Sequence, residues 1–226
     1  MGIAWQALQL SLKVALWATA INAVFGIALA YLAAKKTFWG KEILDIFCTL
    51  PMVMPPTVLG YYLLVLIGKQ GFLGKWLADY FGIHLIFTWQ AAVIAACVSS
   101  FPLVYKPARA AFETLGTQLE QAAVILGLPE RAVFFRVTLP LAQHGILAGL
   151  LLAFARCLGE FGATIMVAGS IPGKTQTLSI AVYEAVQAGQ DDVANSLVLI
   201  ISAVCAVLLL AVNTLSRRRN RKFTSQ

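Results

Sequence analysis

The chain has 226 residues, 60% of them hydrophobic and only 12% charged, with a formal net charge of +7 and a pI near 9.4. A soluble domain carries about a quarter charged residues, so this composition excludes an ordinary water-soluble enzyme and identifies a membrane protein. The basic balance does not mark a nucleic-acid binder, because the cations sit beside the ends of apolar runs and form no patch interleaved with aromatics.

About 20 mostly apolar residues span a bilayer, and five such runs follow one another at 8–34, 43–67, 86–105, 141–168 and 193–215. The expectation is an all-α integral membrane protein, one transmembrane domain over 1–226. The connections at 68–85, 119–140 and 169–192 are too short for an independent core. The first run is expected to be retained, since the twelve residues before Lys13 hold no cation and no small-residue cleavage site precedes a mature domain.

The second run opens with Pro51, Pro55 and Pro56, so its helix must break or bend. Either the kink only shapes the bundle, or it lines a pathway to which Thr57 offers a hydroxyl. The third run carries the small pairs Ala91-Ala92, Ala95-Ala96 and Ser99-Ser100, which permit close helix packing or a surface on which helices rock. In the fourth, Arg156 and Glu160 stand four residues apart, as do facing partners on a helix, with Gly159, Gly162, Ala163 and Thr164 beside them. A neutralised pair that fixes packing and a direct contact with substrate both fit that spacing. Between the fourth and fifth runs, apolar periodicity predicts a short helix over 178–188.

Cations of short loops are retained on the cytoplasmic side. With the N-terminus outside, Lys35, Lys36, Lys41, Lys106, Arg109, Arg131, Arg136 and the basic cluster at 217–222 fall inside, and only Lys69, Lys75 and Lys174 fall outside. Lys13 and Arg156 lie within runs. The C-terminus and the 119–140 loop are therefore expected in the cytoplasm, with the terminal basic cluster anchoring near anionic lipid.

Reactive chemistry is missing from the pattern. Cys48, Cys97, Cys157 and Cys205 fall one per run without metal-type spacing, and His84 and His144 are too few for a histidine metal centre. The stretch Gly169 to Thr175 imitates a phosphate loop, but it is one residue short between its glycines and places Pro172 where backbone donors are needed. The sequence therefore holds no complete nucleotide site of this type.

The 119–140 loop reads LEQAAVILGLPERAVFFRVTLP, two helical halves meeting at Gly127, a residue free to turn the chain out of a helix, with Pro129 suited to open the next one. Helix-Gly-Pro-helix is an ordinary junction. Its spacing, from Gln121-Ala122-Ala123 through Gly127 to Val137-Thr138-Leu139-Pro140, resembles the cytoplasmic coupling loop of ABC-importer permeases. The usual glutamate position of that loop is Gln121 here, with Glu120 one residue earlier. Together with the proline segment Leu50 to Gly60 and the stretch RCLGEFGATIMVAGSIPGKTQTLSIAVY from Arg156 to Tyr183, the chain resembles molybdate-transport permeases over nearly its whole length.

That resemblance implies the ABC-importer permease fold in the inner membrane. It further implies a homodimer around one pathway, two ABC ATPase subunits on the cytoplasmic loops, a periplasmic molybdate-binding protein outside, and molybdate as substrate. The resemblance implies no cofactor on this chain, with ATP-Mg on the partner subunit. On the coupling loop the implied residues are Glu120, Gln121, Ala122, Ala123, Leu126, Gly127, Leu128, Glu130, Arg131, Ala132, Leu139 and Pro140, with Leu126, Leu128 and Ala132 as apolar contacts and Glu120, Glu130 and Arg131 at a polar rim. Candidate pathway or gate residues are Pro55, Pro56, Thr57, Ser99, Arg156, Glu160 and Thr164. Tungstate or sulfate is the alternative cargo, and a passive channel or a scaffold is the alternative of another class.

Overall fold

In lipid the backbone finds no water to bond, so apolar runs satisfy their own amides as helices. The computed structural model describes the backbone of residues 2–223, and side chains for 4–207 other than Thr117, together with Leu210. Every regular element among the described residues is helical. In chain order they are α1 (Gly2–Lys35), α2 (Lys41–Val53), α3 (Pro56–Ile67), α4 (Phe72–Phe81), α5 (Trp89–Thr114), α6 (Thr117–Ile125), α7 (Glu130–Val133), a π-helical turn (Phe134–Thr138), α8 (Leu139–Leu158), α9 (Gly162–Ala168), α10 (Leu178–Gln187) and α11 (Asp191–Phe223).

Among the described residues four stretches are long and apolar enough to cross a membrane: Ala4–Lys35, Pro56–Phe81, Trp89–Thr114 and Glu130–Leu158. The fifth expected run lies on α11, whose side chains beyond 207 are, except at Leu210, outside the described residues, as is the basic cluster at 217–222.

Three boundaries differ from the sequence reading. The second run does break at its prolines, and the apolar stretch resumes at Pro56 and continues through α4, which falls in the expected connection 68–85. A Cβ on Gly74 would stand 1.9 Å from the Gly68 carbonyl oxygen and one on Gly71 2.2 Å from that of Val65, so glycine lets α4 fold tightly onto the end of α3. The third run continues as helix to Thr114, past the expected end at 105, because the charges in its last turns have partners: Asp45 of α2 meets Arg109 and, at 3.1 Å, Lys106, while Arg109 Nε reaches Glu113 at 2.7 Å. The fourth run is not one helix. It stops at Leu158 and restarts at Gly162.

The helices α1, α5 and α8 form the frame. Buried alanines, among them Ala15, Ala18, Ala92, Ala95 and Ala96, bring the backbones close, as small residues do where lipid gives helices no solvent-driven reason to associate. Polar groups then specify the register. Asn22 Nδ2 donates to Ser100 Oγ at 2.9 Å and to the Cys97 carbonyl at 3.0 Å, the Cys97 thiol donates to Asn22 Oδ1 at 2.8 Å, and the Cys157 thiol donates to Ser100 Oγ at 3.1 Å. Cys97 and Cys157 thus help tie α1, α5 and α8 together. A second apolar cluster gathers Ala33, Tyr105, Phe112 and Ile146 toward the cation-rich end, and a third holds the start of α1 against α10 and α11 through Ala7, Leu178, Ala181 and Leu197. The expected short helix over 178–188 is α10, anchored where the Leu178 N–H donates to Ser11 Oγ at 2.8 Å.

The broken halves α3 and α9 cross each other at glycine. A Cβ on Gly60 would come 2.8 Å from Met166 Cβ and 3.0 Å from Ala163 Cα, and one on Gly162 would come 2.7 Å from Pro56 Cβ. Overpacking of this kind costs about 1–3 kcal/mol. Gly60→Ala is therefore expected to lower the thermal midpoint of the detergent-solubilised protein by several degrees, while Gly116→Ala, where an added Cβ meets nothing within 4 Å, leaves it unchanged. Equal midpoints would show that the crossing does not need close approach.

Candidate functional site

Two separate surfaces carry the residues singled out in the sequence. The first is the loop between α5 and α8. Helix α6 ends in a Schellman turn, in which the Gly127 N–H donates to the Val124 carbonyl at 2.9 Å and the Leu128 N–H to that of Ala123 at 3.1 Å. Gly127 takes φ +86°, a left-handed conformation that costs a side-chain-bearing residue about 1–2 kcal/mol. Pro129 caps α7 from outside the helix, its carbonyl accepting from the Ala132 and Val133 N–H groups at 2.8 and 3.1 Å.

The second half of the loop does not stop before the membrane run. It passes through the π-helical turn, where the Leu139 N–H donates to the Phe134 carbonyl, straight into α8. Pro140 lies in the first turn of α8 and offers no N–H to the carbonyl four residues back, and the wider π turn sits where that bond is missing. Phe134 anchors the segment against Tyr31 at 4.7 Å between ring centroids and against Phe112 at 6.5 Å.

The loop divides into an outer and an inner face. Gln121, Ala122, Gly127, Glu130, Arg131 and Pro140 are exposed, and Leu126 is 83% exposed. Leu128, Ala132 and Leu139 are half-buried, so Leu128 and Ala132 offer less apolar surface than expected. Ala123 faces the core. Glu120 does not stand at the rim: its carboxylate turns inward to Lys35 Nζ at 3.1 Å and accepts from the Thr138 hydroxyl at 2.7 Å. Sequence reasoning passed over Ile125, 84% exposed beside Leu126, and also Leu119 and Val124. Their signal was available, since apolar residues at 124–126 crowd the end of a short helix on more sides than one core face can use.

The second surface is a cleft of about 280 Å³ lined by Pro56, Thr57, Arg156, Gly159, Glu160, Phe161 and Gly162. It lies where the two broken runs meet. Arg156 Nη1 pairs with Glu160 Oε2 at 2.7 Å, but not as neighbours on one helical face, because the helix ends at Leu158 and Glu160 stands beyond it. The break leaves amides and carbonyls that need partners. The Ala163 N–H at the start of α9 donates to Glu160 Oε1 at 3.0 Å, the Glu160 N–H donates to the Cys157 carbonyl at 3.3 Å, and the Ser179 hydroxyl of α10 donates to the Leu158 carbonyl at 3.2 Å. Glu160 is 2% exposed, whereas the Arg156 side chain keeps 37% of its surface open.

Of the candidate pathway residues, the cleft thus unites Pro56, Thr57, Arg156 and Glu160. Pro55 is exposed and caps α3 just outside its lining. Ser99 and Thr164 are buried away from it, and the Ser99 hydroxyl donates to the Ala96 carbonyl of its own helix at 3.2 Å. Among the described residues no group of three or more His, Cys, Asp or Glu side chains is placed to hold a metal.

A family model described as "Binding-protein-dependent transport system inner membrane component" matches residues 24–224. The chain is 45% identical over 218 residues to the molybdenum transport system permease protein ModB of Escherichia coli K12, covering 96% of this chain and 95% of that one. It is 35% identical over 216 residues to the sulfate transport system permease protein CysT of the same strain, covering 96% and 78%. A chain in the crystal structure of a bacterial alginate ABC transporter, in complex with an alginate-bound periplasmic protein, superposes with a TM-score of 0.76 at 17% identity over 94% of this chain and 78% of that one, a likeness of fold.

Removing one member of a buried ion pair leaves the other uncompensated and costs about 3–5 kcal/mol, toward the lower end here because Arg156 remains partly open. Arg156→Met is expected to depress the thermal midpoint more than Glu160→Gln, which retains an acceptor for the Ala163 N–H, and adding Glu160→Gln to Arg156→Met to recover part of the loss. A midpoint insensitive to Arg156→Met would mean that the pair is solvated in the native protein.

Proposed function

Because this chain belongs to the family of binding-protein-dependent transport system inner membrane components, we propose that it is the membrane-spanning permease subunit of an ABC importer that carries molybdate inward. The observation that carries the cargo assignment is the near-full-length likeness to a molybdenum permease, closer than the likeness to a sulfate permease of equal coverage of this chain.

In this reading the cation-rich end of the bundle faces the cytoplasm, with the N-terminus outside and the C-terminus inside. Two copies enclose one pathway, two ABC ATPase subunits sit on the exposed coupling loops, and a periplasmic molybdate-binding protein delivers the anion. The exposed face of α3, with Val58, Tyr61, Tyr62 and Val65, supports a second copy across the cleft. The chain itself hydrolyses nothing; ATP-Mg is held by its partner.

The cleft suits passage better than capture. A doubly charged oxyanion entering it meets the partly open Arg156 guanidinium, and Glu160 at 2.7 Å offsets that charge, so the anion is admitted without being held. Thr57 lines the same cleft with a hydroxyl. Selection is left to the binding protein.

Reconstitution with the ATPase and a defined binding protein tests this reading. Uptake of labelled molybdate is expected to require ATP and to be competed by excess tungstate but not by the same excess of sulfate. Sulfate uptake alone would move the assignment to the sulfate branch, and flux without ATP would remove the importer reading.

The coupling turn makes a second prediction. Gly127→Val forces a β-branched residue to φ +86°, and a penalty of about 1–2 kcal/mol depopulates the turn by roughly 5–30-fold. Uptake is expected to fall by a similar factor while the amount of protein in the membrane stays unchanged. Wild-type uptake together with wild-type ATPase activity would take this turn out of the mechanism.

A further inference from the structure

Four elements converge on one ion pair at the cation-rich end. Glu120 on α6 pairs through Oε2 with Lys35 Nζ, the last residue of α1, at 3.1 Å. Its Oε1 accepts from the hydroxyl of Thr138, the last residue of the π-helical turn that leads into α8, at 2.7 Å. Lys35 Nζ also donates to the Leu115 carbonyl, which caps α5, at 3.1 Å. These groups are shielded: the Lys35 and Glu120 side chains are 12% and 18% exposed, and Thr138 is 1% exposed. One helical turn before Lys35, Tyr31 stacks edge-on against Phe134 of the same π-helical turn at 4.7 Å. Ile125 at the end of α6 and Leu126 just beyond it are exposed.

We infer that Glu120 is a positioning residue of the permease: a partly shielded strut that locks the coupling helix α6 to the ends of α1 and α5 and to the start of α8, and no contact of the ATPase. The proposal rests on the transport reading above for the identity of the partner. Its physical content is stiffness. Helix α6 joins α5 through Leu115 and Gly116 alone, a link that would bend under load if nothing crossed it. A charge-assisted bond to a shielded ammonium and a short bond to a buried hydroxyl resist that bending, and they direct a displacement of the exposed edge into three membrane helices at once. The exposed Gln121, one residue on, is left to meet the partner.

The test uses the reconstituted importer with Glu120→Gln, Thr138→Val, Thr138→Ser and the exchange Lys35→Glu with Glu120→Lys. Glu120→Gln is expected to co-purify with the ATPase at the wild-type level and to support ATP hydrolysis. Uptake per ATP should fall at least about ten-fold, the weight of one charge-assisted bond. Thr138→Val should lower the same ratio and Thr138→Ser restore it; the double exchange should exceed either of its single variants. Hydrogen exchange in the α6 amides of the isolated permease should quicken by a similar factor in Glu120→Gln, a readout that needs no transport. Unchanged exchange, or an unchanged ratio of uptake to hydrolysis, overturns the strut, as does loss of ATPase co-purification with the ratio preserved in the complex that remains. Should Glu120→Gln fail to reach the membrane, the Thr138 pair decides by the same two measurements. Absence of ATP-driven uptake in the wild type would count against the transport reading alone, and the exchange rates would still decide the strut.

Discussion

The structure depends on one constraint: backbone that leaves a helix inside an apolar layer must find its partners within the protein. Two runs are interrupted, at Met54-Pro55 and at Gly159 to Phe161, and the fold sets the interruptions against each other. The close crossing of α3 and α9 at Gly60 and Gly162 covers one side of the breaks. Glu160 serves as both the acceptor for the start of α9 and the counter-charge of Arg156, and Ser179 reaches in from α10 to the last carbonyl of α8. The polar cleft follows from that repair. Where broken helices cannot be sealed by helix, side chains that bond backbone also line an opening.

The same chain segment joins the two surfaces. From Glu130 to Leu158 the chain is helical throughout, with one π turn, so the second half of the 119–140 loop and Arg156 at the cleft lie on a single rod of 29 residues. At a rise of about 1.5 Å per residue this rod is roughly 40 Å long. A rigid element of that length carries a displacement from one end of the bundle to the other without a chain of small side-chain adjustments. The Asn22, Ser100, Cys97 and Cys157 bonds hold α8 against α1 and α5 near the far end of the rod, and the Lys35, Glu120 and Thr138 contact holds it at the near end. Between these ties the small residues Ala30, Ala33, Ala108 and Ala142 let the helices approach, and the large side chains Tyr105, Phe112 and Ile146 interlock them.

Much of this was legible in the sequence because membrane insertion depends on local composition. Apolar length located the runs, proline located the first break, Gly127 located the turn, and cation placement distinguished the two ends. Arg156 and Glu160 were recognisable as partners because a charge at such depth needs one. Boundaries fared less well: α5 continues beyond its apolar stretch because Asp45 and Glu113 receive its terminal cations, and α4 occupies what composition marked as a connection.

What the sequence alone determined was the class of protein, the order of its helices, its turn chemistry and the residue types at both surfaces, since each is set by neighbours within one or two helical turns. Only the tertiary structure decided which way those residues face. Glu120 and Gln121 are adjacent and both polar, yet one is drawn inward by Lys35, 85 positions earlier in the chain, and the other is left outside. Ser99 and Thr57 are both hydroxyls in apolar runs, yet only Thr57 lines the cleft, because only its helix begins at a break that another break faces. A side chain's orientation is fixed by partners distant along the chain, and no local pattern encodes them.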